Sequence, residues 1–281
     1  MPSIDIRDMA DSDTDLDGAL ALSRAVNWPY RKDDWRVALS LGRGVLAEAD
    51  RRIVGSALWW PYGDGLATFG MIIVSPAMQG QGIGRILMDS LLRQAGDRTV
   101  LLNSTEEGLA LYRRYGFEAV GTVHQHQART TADPAVNAPV SSVRPFRPTD
   151  EAAILDLDRG ASGVDRTDLV TRFMGIGDTV VREADGTVTG FAMCRRFGHG
   201  YAIGPVIGQS SQDAQSLIGY FLREKAGEFL RVDISGDSGL GPWLEGMGLP
   251  EVGRVTTMVR GARPQQSGPA RIFALASQSL G

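Results

Sequence analysis

A glycine-rich segment at residues 79–84 is the part of the sequence most able to bind an anion. Gly80, Gly82 and Gly84 follow an apolar, strand-like run at residues 70–74 and lead into a segment of helical spacing. Glycine lets backbone N–H groups crowd around an anion, and the positive end of the following helix dipole points at the same place. The segment therefore predicts a cradle for a diphosphate.

Two common phosphate-binding loops fit this segment poorly. A P-loop needs Lys and then Ser or Thr after its last glycine, whereas Gly84 is followed by Arg85 and Ile86. A dinucleotide-binding turn has its glycines directly after the strand, whereas residues 75–78 intervene here. The glycines alone therefore leave the ligand open.

A second pattern lies downstream, where Tyr112, Gly116 and Phe117 form the sequence Tyr-x3-Gly-Phe. This pattern is similar to the tyrosine motif of the GCN5-related N-acetyltransferase (GNAT) superfamily. Residues 74–84, with Val-x-Pro followed by Gln-x-x-Gly-x-Gly, resemble motif A of the same family. The two patterns occur in the family's order, and the resemblance covers roughly residues 4–129.

The resemblance implies acetyl-CoA as co-substrate, with its pyrophosphate in the glycine-rich loop. In the family the strands carrying Val74 and Asn103 splay apart, and the pantetheine arm pairs with backbone groups as an added strand would. A backbone N–H there polarises the thioester carbonyl, and the amine attacks directly. The residues implied in cofactor binding are Ile72, Ile73, Val74, Gln79, Gly80, Gln81, Gly82, Ile83, Gly84, Arg85 and Thr105.

Tyr112 is implied as the catalytic general acid beside the departing sulfur. A free phenol has a pKa near 10 and an alkyl thiol near 8.5, so full proton transfer to the thiolate is uphill by about 2 kcal/mol. Either the surroundings change those pKa values or Tyr112 mainly donates a hydrogen bond to the thiolate. An ordinary tyrosine that only packs its ring is the remaining interpretation.

Two features depart from the family pattern. Thr105 stands where relatives often have an Asn that contacts the cofactor arm, and no carboxylate occurs at residues 68–70, a common place for the general base. His124 and His126 share one face of a predicted strand and are candidates for the base, although a structural histidine is the more common case. Deprotonation of the amine through water stays open.

Aromatic and charged residues suggest where the acceptor could bind. Residues 27–31, Asn-Trp-Pro-Tyr-Arg, fall between the first two predicted helices, where relatives form part of the acceptor wall. Trp59 and Trp60 are strand neighbours and must face opposite sides, and packing in the core is favoured over an aromatic cage. The pairs Asp165-Arg166 and Arg195-Arg196 are expected at the surface, with a place in a shared cleft as the alternative.

The periodicity of the first half predicts the elements that position these residues. Apolar residues at helical spacing predict helices over residues 15–26 and 33–41, and a third helix from Ile83. Strands are predicted over residues 44–49, 53–60 and 66–74. This order of helices and strands predicts an α/β fold of the α+β type, with a mixed, mostly antiparallel sheet flanked by helices.

The second half of the chain repeats the first. Residues 45–55 align without gaps on residues 180–190, and a proline-bearing stretch separates the copies. We therefore predict an acetyl-CoA-binding domain over 1–129, a linker over 130–142, and a degenerate GNAT-like domain with a C-terminal strand or tail over 143–281. The second copy has Gly-Gln-Ser-Ser-Gln-Asp-Ala from Gly208 instead of the glycine cradle, and Leu244 in place of Tyr112.

Composition limits the classes of partner. The 281 residues carry a formal net charge of −4, with no block rich in Lys and Arg, so nucleic acid and membrane are not expected partners. The single Cys194 and the lack of an apolar span or signal-like segment predict a cytoplasmic protein without disulfides. Three histidines without further ligands predict no metal site.

These observations predict an N-acetyltransferase that moves an acetyl group from acetyl-CoA to a primary amine of a small molecule through a ternary complex. Tyr112 favours catalysis. The missing base leaves an alternative, a non-catalytic acyl-CoA-binding sensor or regulatory protein. The acyl chain length and a homodimeric state stay open.

Overall fold

The computed structural model describes residues 3–131 and 142–281. One 13-stranded sheet runs through both halves, in the order β1-β2-β3-β4-β5-β12-β6-β11-β13-β10-β9-β8-β7. All the pairs between neighbouring described strands are antiparallel except β4 with β5 and the additional pairing of β10 with β11. The mixed, mostly antiparallel sheet predicted from the sequence is therefore confirmed.

The first half contributes six strands and four helices to this sheet. They are β1 (Asp5–Asp8), α1 (Asp13–Ala25), α2 (Lys32–Ser40), β2 (Arg43–Ala49), β3 (Arg52–Tyr62), β4 (Leu66–Val74), α3 (Ile83–Ala95), β5 (Thr99–Ser104), α4 (Leu109–Arg114) and β6 (Glu118–Arg129). The predicted helices and strands agree with α1, α2, β2, β3 and the start of α3 to within two residues, and with β4 at both ends.

The second half repeats this order of elements and adds a strand at its end. Its elements are β7 (Val143–Pro145), α5 (Glu151–Ser162), α6 (Thr167–Ile176), β8 (Gly177–Ala184), β9 (Thr187–Phe197), β10 (Gly200–Gly208), α7 (Ser211–Glu224), β11 (Phe229–Ser235), α8 (Gly241–Gly246), β12 (Glu251–Arg260) and β13 (Arg271–Ala274). No helix in the described ranges is both long and apolar enough to cross a membrane.

The helices cover both faces of the sheet. Side chains from α1, α2, α5 and α6 enter one apolar cluster that contains residues of both halves. Helices α3 and α4 pack into a second cluster, and α7 and α8 into a third. Trp59 and Trp60 show the alternation, because Trp59 lies in the α3 cluster and Trp60 in the shared one, as their adjacency predicts.

The two halves exchange long strands. Strand β12 of the second half lies between β5 and β6, and β6 of the first half lies between β12 and β11. Each half therefore completes the sheet of the other. The predicted division into domains over residues 1–129 and 143–281 stays a proposal. The predicted linker, 130–142, falls largely outside the described residues.

Strands β4 and β5 separate partway along their length. They pair from Leu66 opposite Thr99 to Phe69 opposite Leu102, and residues 70–74 have no strand partner on the β5 side. In the second half, β10 and β11 pair at residues 201–203 and then diverge in the same way, but β13 pairs with both beyond that point. No strand within residues 3–131 and 142–281 fills the first gap, whereas β13 fills the second.

Candidate active site

The glycine-rich loop joins β4 to α3 in a conformation that exposes its backbone. Gly80 and Gly82 have φ of 77° and 83°, a region that favours glycine, and a Cβ on either would meet nothing within 4 Å. Gly82 is the N-cap of α3 and is left-handed. Among the described residues, none accepts a hydrogen bond from the N–H groups of residues 79–84. The loop thus presents consecutive unpaired donors at the positive end of a 13-residue helix.

The side chains of the loop lie outside this row of N–H groups. Gln79 donates weakly to the Val74 carbonyl at 3.4 Å, and Gln81 contacts the sulfur of Met78. Arg85 is exposed in the first turn of α3, and its carbonyl accepts a hydrogen bond from the Tyr115 hydroxyl at 3.1 Å. The arrangement suits an anion bound mainly by backbone, with Arg85 as the nearby cation.

Strand β4 is irregular where the gap begins. Its register with β3 shifts between Ser56 and Leu58, and Met71 opposite this shift has φ 51°. A non-glycine residue with positive φ is uncommon, and such bulges redirect backbone groups out of the ladder. Ile72 and Val74 are half-buried against the α3 cluster, whereas Ile73 belongs to the shared cluster. The backbone of residues 71–74 therefore borders the gap on the β4 side.

Tyr112 lies at the other side of the gap, near the end of β5. A Cβ placed on Gly108 would lie 2.8 Å from both Ser104 Oγ and a ring carbon of Tyr112, so these residues are in close contact. The ring meets Phe117 edge-on at 6.0 Å. Burial raises the pKa of Tyr112 to about 12, and no described residue hydrogen-bonds its hydroxyl.

The raised pKa favours one of the two roles considered for Tyr112. Against an alkyl thiol of pKa near 8.5, complete proton transfer from a phenol of pKa about 12 is uphill by about 5 kcal/mol. The phenol therefore stays neutral and can act as a hydrogen-bond donor. A buried, neutral phenol suits stabilisation of a developing thiolate by a hydrogen bond better than complete transfer of its proton.

Thr105 directly follows β5 at the mouth of the gap. Its carbonyl accepts hydrogen bonds from Ser104 Oγ at 2.7 Å and from the Gly108 N–H at 3.1 Å. The backbone N–H of Glu107 and then the Thr105 hydroxyl lower the pKa of the Glu107 carboxyl. The contact of Thr105 with a cofactor arm stays a prediction.

The two candidate histidines lie away from the gap. His124 Nδ1 is 3.0 Å from a carboxylate oxygen of Glu251, and its Nε2 is 3.0 Å from Thr122 Oγ1. His126 is fully buried and bonds the Leu249 carbonyl through Nδ1. Neither lines the cavities beside β4, which favours structural roles for both.

A C-terminal segment, residues 275–281, covers the gap on the face opposite α3 and α4. A Cβ on Gly70 would lie 2.6 Å from the Ser279 Cβ, so the segment packs directly on β4. Asn103 Nδ2 donates to the Gln278 carbonyl at 2.7 Å, and the Tyr62 hydroxyl donates to the Leu280 carbonyl at 2.5 Å. The second half therefore contributes to the site through this segment.

Two cavities lie on either side of this segment. The larger, of about 690 Å³, lies between the halves and includes Thr68, Asn103 and Arg166. The smaller, of about 290 Å³, includes Tyr30 and Arg31 from the predicted acceptor wall, together with Met71 and Arg195. Both cavities include residues of the C-terminal segment, which lies on the face of the sheet opposite α3 and α4.

The expectation that Arg166 and Arg195 lie at the surface is wrong. Arg166 is 4% exposed and Arg195 is 5% exposed. Arg166 forms a buried ion pair with Asp158 at 2.6 Å. These arginines are buried by the packing of the two halves. The local sequence does not record that packing, so it does not distinguish them from their exposed neighbours.

Each feature of the first-half site is replaced in the second half. The Ser210 hydroxyl and the Asp213 carboxylate cap α7, and Asp213 accepts from the N–H groups of Gln209 and Ser210, each at 3.1 Å. Strand β13 fills the gap between β10 and β11. Leu244, in the position of Tyr112, is fully buried.

Sequence reasoning missed Gly70, Met71 and the position of the C-terminal segment, which it predicted only as a last strand or tail of the second half. The segment contacts residues of both halves that are remote in sequence, so no local pattern could place it. Positive φ at Met71 has no signal in the residue type, since the bulge arises from the register of β4 with β3. Gly70 offered a weak signal, because a glycine inside a strand often marks a close approach.

Comparisons with known proteins agree with this architecture. Models of the acetyltransferase (GNAT) domain match residues 41–119 and 154–274. The chain is 26% identical over 273 residues to the uncharacterized N-acetyltransferase YitH of Bacillus subtilis, covering 95% of each chain. It is 27% identical over 227 residues to holothin acyltransferase of Pseudoalteromonas sp., covering 78% of this chain and 75% of the relative.

Solved structures show the same fold at low sequence identity. A protein from Pyrococcus horikoshii described as an acetyltransferase superposes with a TM-score of 0.82 at 19% identity, over 99% of this chain and 96% of its own. A tandem GNAT protein from the clavulanic acid biosynthesis pathway superposes with a TM-score of 0.65 at 16% identity, over 95% of this chain and 100% of its own. Because GNAT models match both halves and together cover most of the chain, the protein belongs to the GNAT acetyltransferase superfamily and carries two of its domains in tandem.

Proposed function

We propose that this protein is an N-acetyltransferase that moves an acetyl group from acetyl-CoA to a primary amine of a small molecule. The observation that carries the proposal is the row of unpaired N–H groups at residues 79–84 beside an open strand gap. The residues fit a CoA diphosphate, because Gly80 and Gly82 leave room where a Cβ would stand. Tyr112 at the far side of the gap supports catalysis.

The proposed roles follow from position. Residues 79–84 and Arg85 would hold the diphosphate, and the backbone of Ile72, Ile73 and Val74 would pair with the pantetheine arm. An N–H at the Met71 bulge would donate to the thioester oxygen as charge develops there. Tyr112, kept neutral by burial, would donate a hydrogen bond to the departing sulfur.

The reaction needs no nucleophile from the protein. The amine nitrogen attacks the thioester carbon within a ternary complex, so that a C–N bond forms and the C–S bond breaks with its electron pair on sulfur. We propose that the ammonium proton leaves to water before attack, since neither His124 nor His126 lines the cavities beside β4. The nitrogen then releases a second proton and the thiolate takes one up, both through water, so the products are an amide and CoA, in the cytoplasm where we expect the protein to act.

The test is turnover. Incubating the protein with acetyl-CoA and a panel of small amines, while following free thiol, should reveal an amine-dependent release of CoA, and mass spectrometry should find the acetylated amine. Tight CoA binding without turnover on any amine would replace the proposal with a non-catalytic acyl-CoA sensor. Because one relative is an acyltransferase named for holothin, longer acyl-CoA donors belong in the same panel.

A further inference from the structure

Arg195 of β9 is a buried cation without a carboxylate partner among the described residues. Its guanidinium carbon lies 4.3 Å from the ring centroid of Phe173 and 5.0 Å from that of Phe197. Its one hydrogen bond within the described ranges runs from Nη2 to the Ala276 carbonyl at 3.1 Å, and its buried Nε has no partner there. Burial lowers its pKa to about 10.

The acidic groups that face Arg195 are already engaged elsewhere. Asp34 accepts hydrogen bonds from Arg31, both from its side chain at 2.7 Å and from its backbone, and from the Gly198 N–H. Asp233 is paired with Arg231 at 2.9 Å. Burial of an unpaired charge is costly, and proteins seldom retain it without compensation. An anion supplied from outside would provide that compensation.

Arg195 lines the smaller cavity, which also reaches the catalytic gap. Met71, the bulged residue of β4, and Ser279, which packs on Gly70, belong to the same wall. Apolar and aromatic side chains, Tyr30 and Phe173 among them, provide much of the remaining surface, and the charged residues there are Arg31, Asp33, Asp34 and Arg196. A volume of about 290 Å³ suits a molecule of amino-acid size with an apolar side chain.

We propose that the acceptor is a small amine that also carries a carboxylate, and that Arg195 binds this carboxylate and so determines specificity. The inference rests on the proposed function and names its substrate class. The planar guanidinium can bind a carboxylate through two parallel hydrogen bonds. The amine would then point toward Met71, where the thioester carbonyl is expected.

The test compares acids with their amides. For leucine against leucinamide and phenylalanine against phenylalaninamide, kcat/KM is measured in the wild type, Arg195→Lys and Arg195→Met. The ratio of acid to amide within each protein is then compared, which cancels the different basicity of the amines. We expect the ratio to fall roughly tenfold or more in Arg195→Met and by less in Arg195→Lys. Arg271→Met removes an exposed arginine that also lies over a phenylalanine ring, and should leave the ratio unchanged.

A measurement on the wild type avoids dependence on the folding of the variants. 4-Methylpentanoate, which is leucine without its amine, should compete with the acceptor at least tenfold better than 4-methylpentanamide. An unchanged ratio in folded Arg195 variants, or equal inhibition by the two compounds, overturns the inference while amine turnover leaves the proposed function standing. Absence of turnover with every amine overturns the proposed function and the inference with it.

Discussion

The two halves of the chain share one fold, and they differ at each point where a CoA thioester would bind. In the first half, the N–H groups of residues 79–84 have no described acceptor, and residues 70–74 border an open gap. In the second half, Ser210 and Asp213 satisfy the helix start, and β13 occupies the gap. The comparison teaches that a binding site is lost when the chain itself supplies the partners that a ligand would have supplied.

The second half has nevertheless kept a role in the first-half site. Its strand β12 completes the sheet beside β5, and its segment 275–281 packs on Gly70 and Asn103. Arg195 lines the cavity next to Met71. The second half therefore lines the side of the gap where we propose that the acceptor binds.

The largest expected effect is on CoA affinity, and it comes from placing a charge in the glycine-rich loop. Gly82→Asp adds a carboxylate where the diphosphate would lie, and two like charges about 4 Å apart repel by about 4 kcal/mol near a protein surface. We expect the Kd for CoA, measured by calorimetry, to rise ~100-fold or more.

Two controls separate charge from backbone strain. Gly82→Ala introduces the same backbone strain, that of a side chain at φ 83°, but adds no charge. It should weaken CoA binding far less than Gly82→Asp. Gly186→Asp changes a glycine of the second half that also has positive φ, at 74°, and open space around it. This variant should bind CoA as the wild type does. Full CoA affinity in Gly82→Asp would refute the placement of the cradle.

Tyr112→Phe should slow turnover without weakening the cofactor complex. The ring and its contact with Phe117 remain, while the hydroxyl is lost. We expect kcat to fall roughly 100-fold, the scale for loss of one donor to developing charge, with an unchanged Kd for CoA. Tyr115→Phe is the control: it loses hydrogen bonds to Asp89 at 2.7 Å and to the Arg85 carbonyl at 3.1 Å, and should keep kcat. Equal kcat in Tyr112→Phe and wild type would remove the phenol from the mechanism.

Asp213→Asn tests whether the second half is closed to CoA, as the comparison of the two halves indicates. It removes the charge that caps α7 and pairs with Arg182 at 2.9 Å. We expect a loss of about 1–2 kcal/mol in the free energy of unfolding, measured in urea. The affinity for CoA and a stoichiometry of one per chain should not change, because β13 still fills the gap. A second CoA bound per chain would contradict the comparison.

The sequence predicted the local features and missed those that depend on contacts between the halves. Residues 66–74 were predicted as a strand with the correct ends, because hydrophobic pattern and flanking residues are local signals. The loss of the glycine loop in the second copy was also visible from alignment of the repeat. By contrast, the exchange of β6 and β12 and the burial of Arg195 arise from long-range packing, which no local periodicity records.

Substitution of Cys194 should give the smallest effect on activity, because the chain's single thiol is buried in the core of the second half. The residue is 1% exposed, and burial raises its pKa to about 12. A raised thiol pKa in the folded state contributes stability that is fully present below the unfolded pKa and is lost as pH rises through 12.

The thiolate of Cys194 is therefore scarce near pH 8. A disulfide reagent such as DTNB should label native protein negligibly within the time of an assay, but should react with one thiol per chain in guanidinium. Its neighbour Arg195 points to the other face of β9, so Cys194→Ala should leave both thiol release and the acid-to-amide ratio unchanged. Rapid labelling of the native chain would instead mean that this core opens, and that the second half is less closed than its packing indicates.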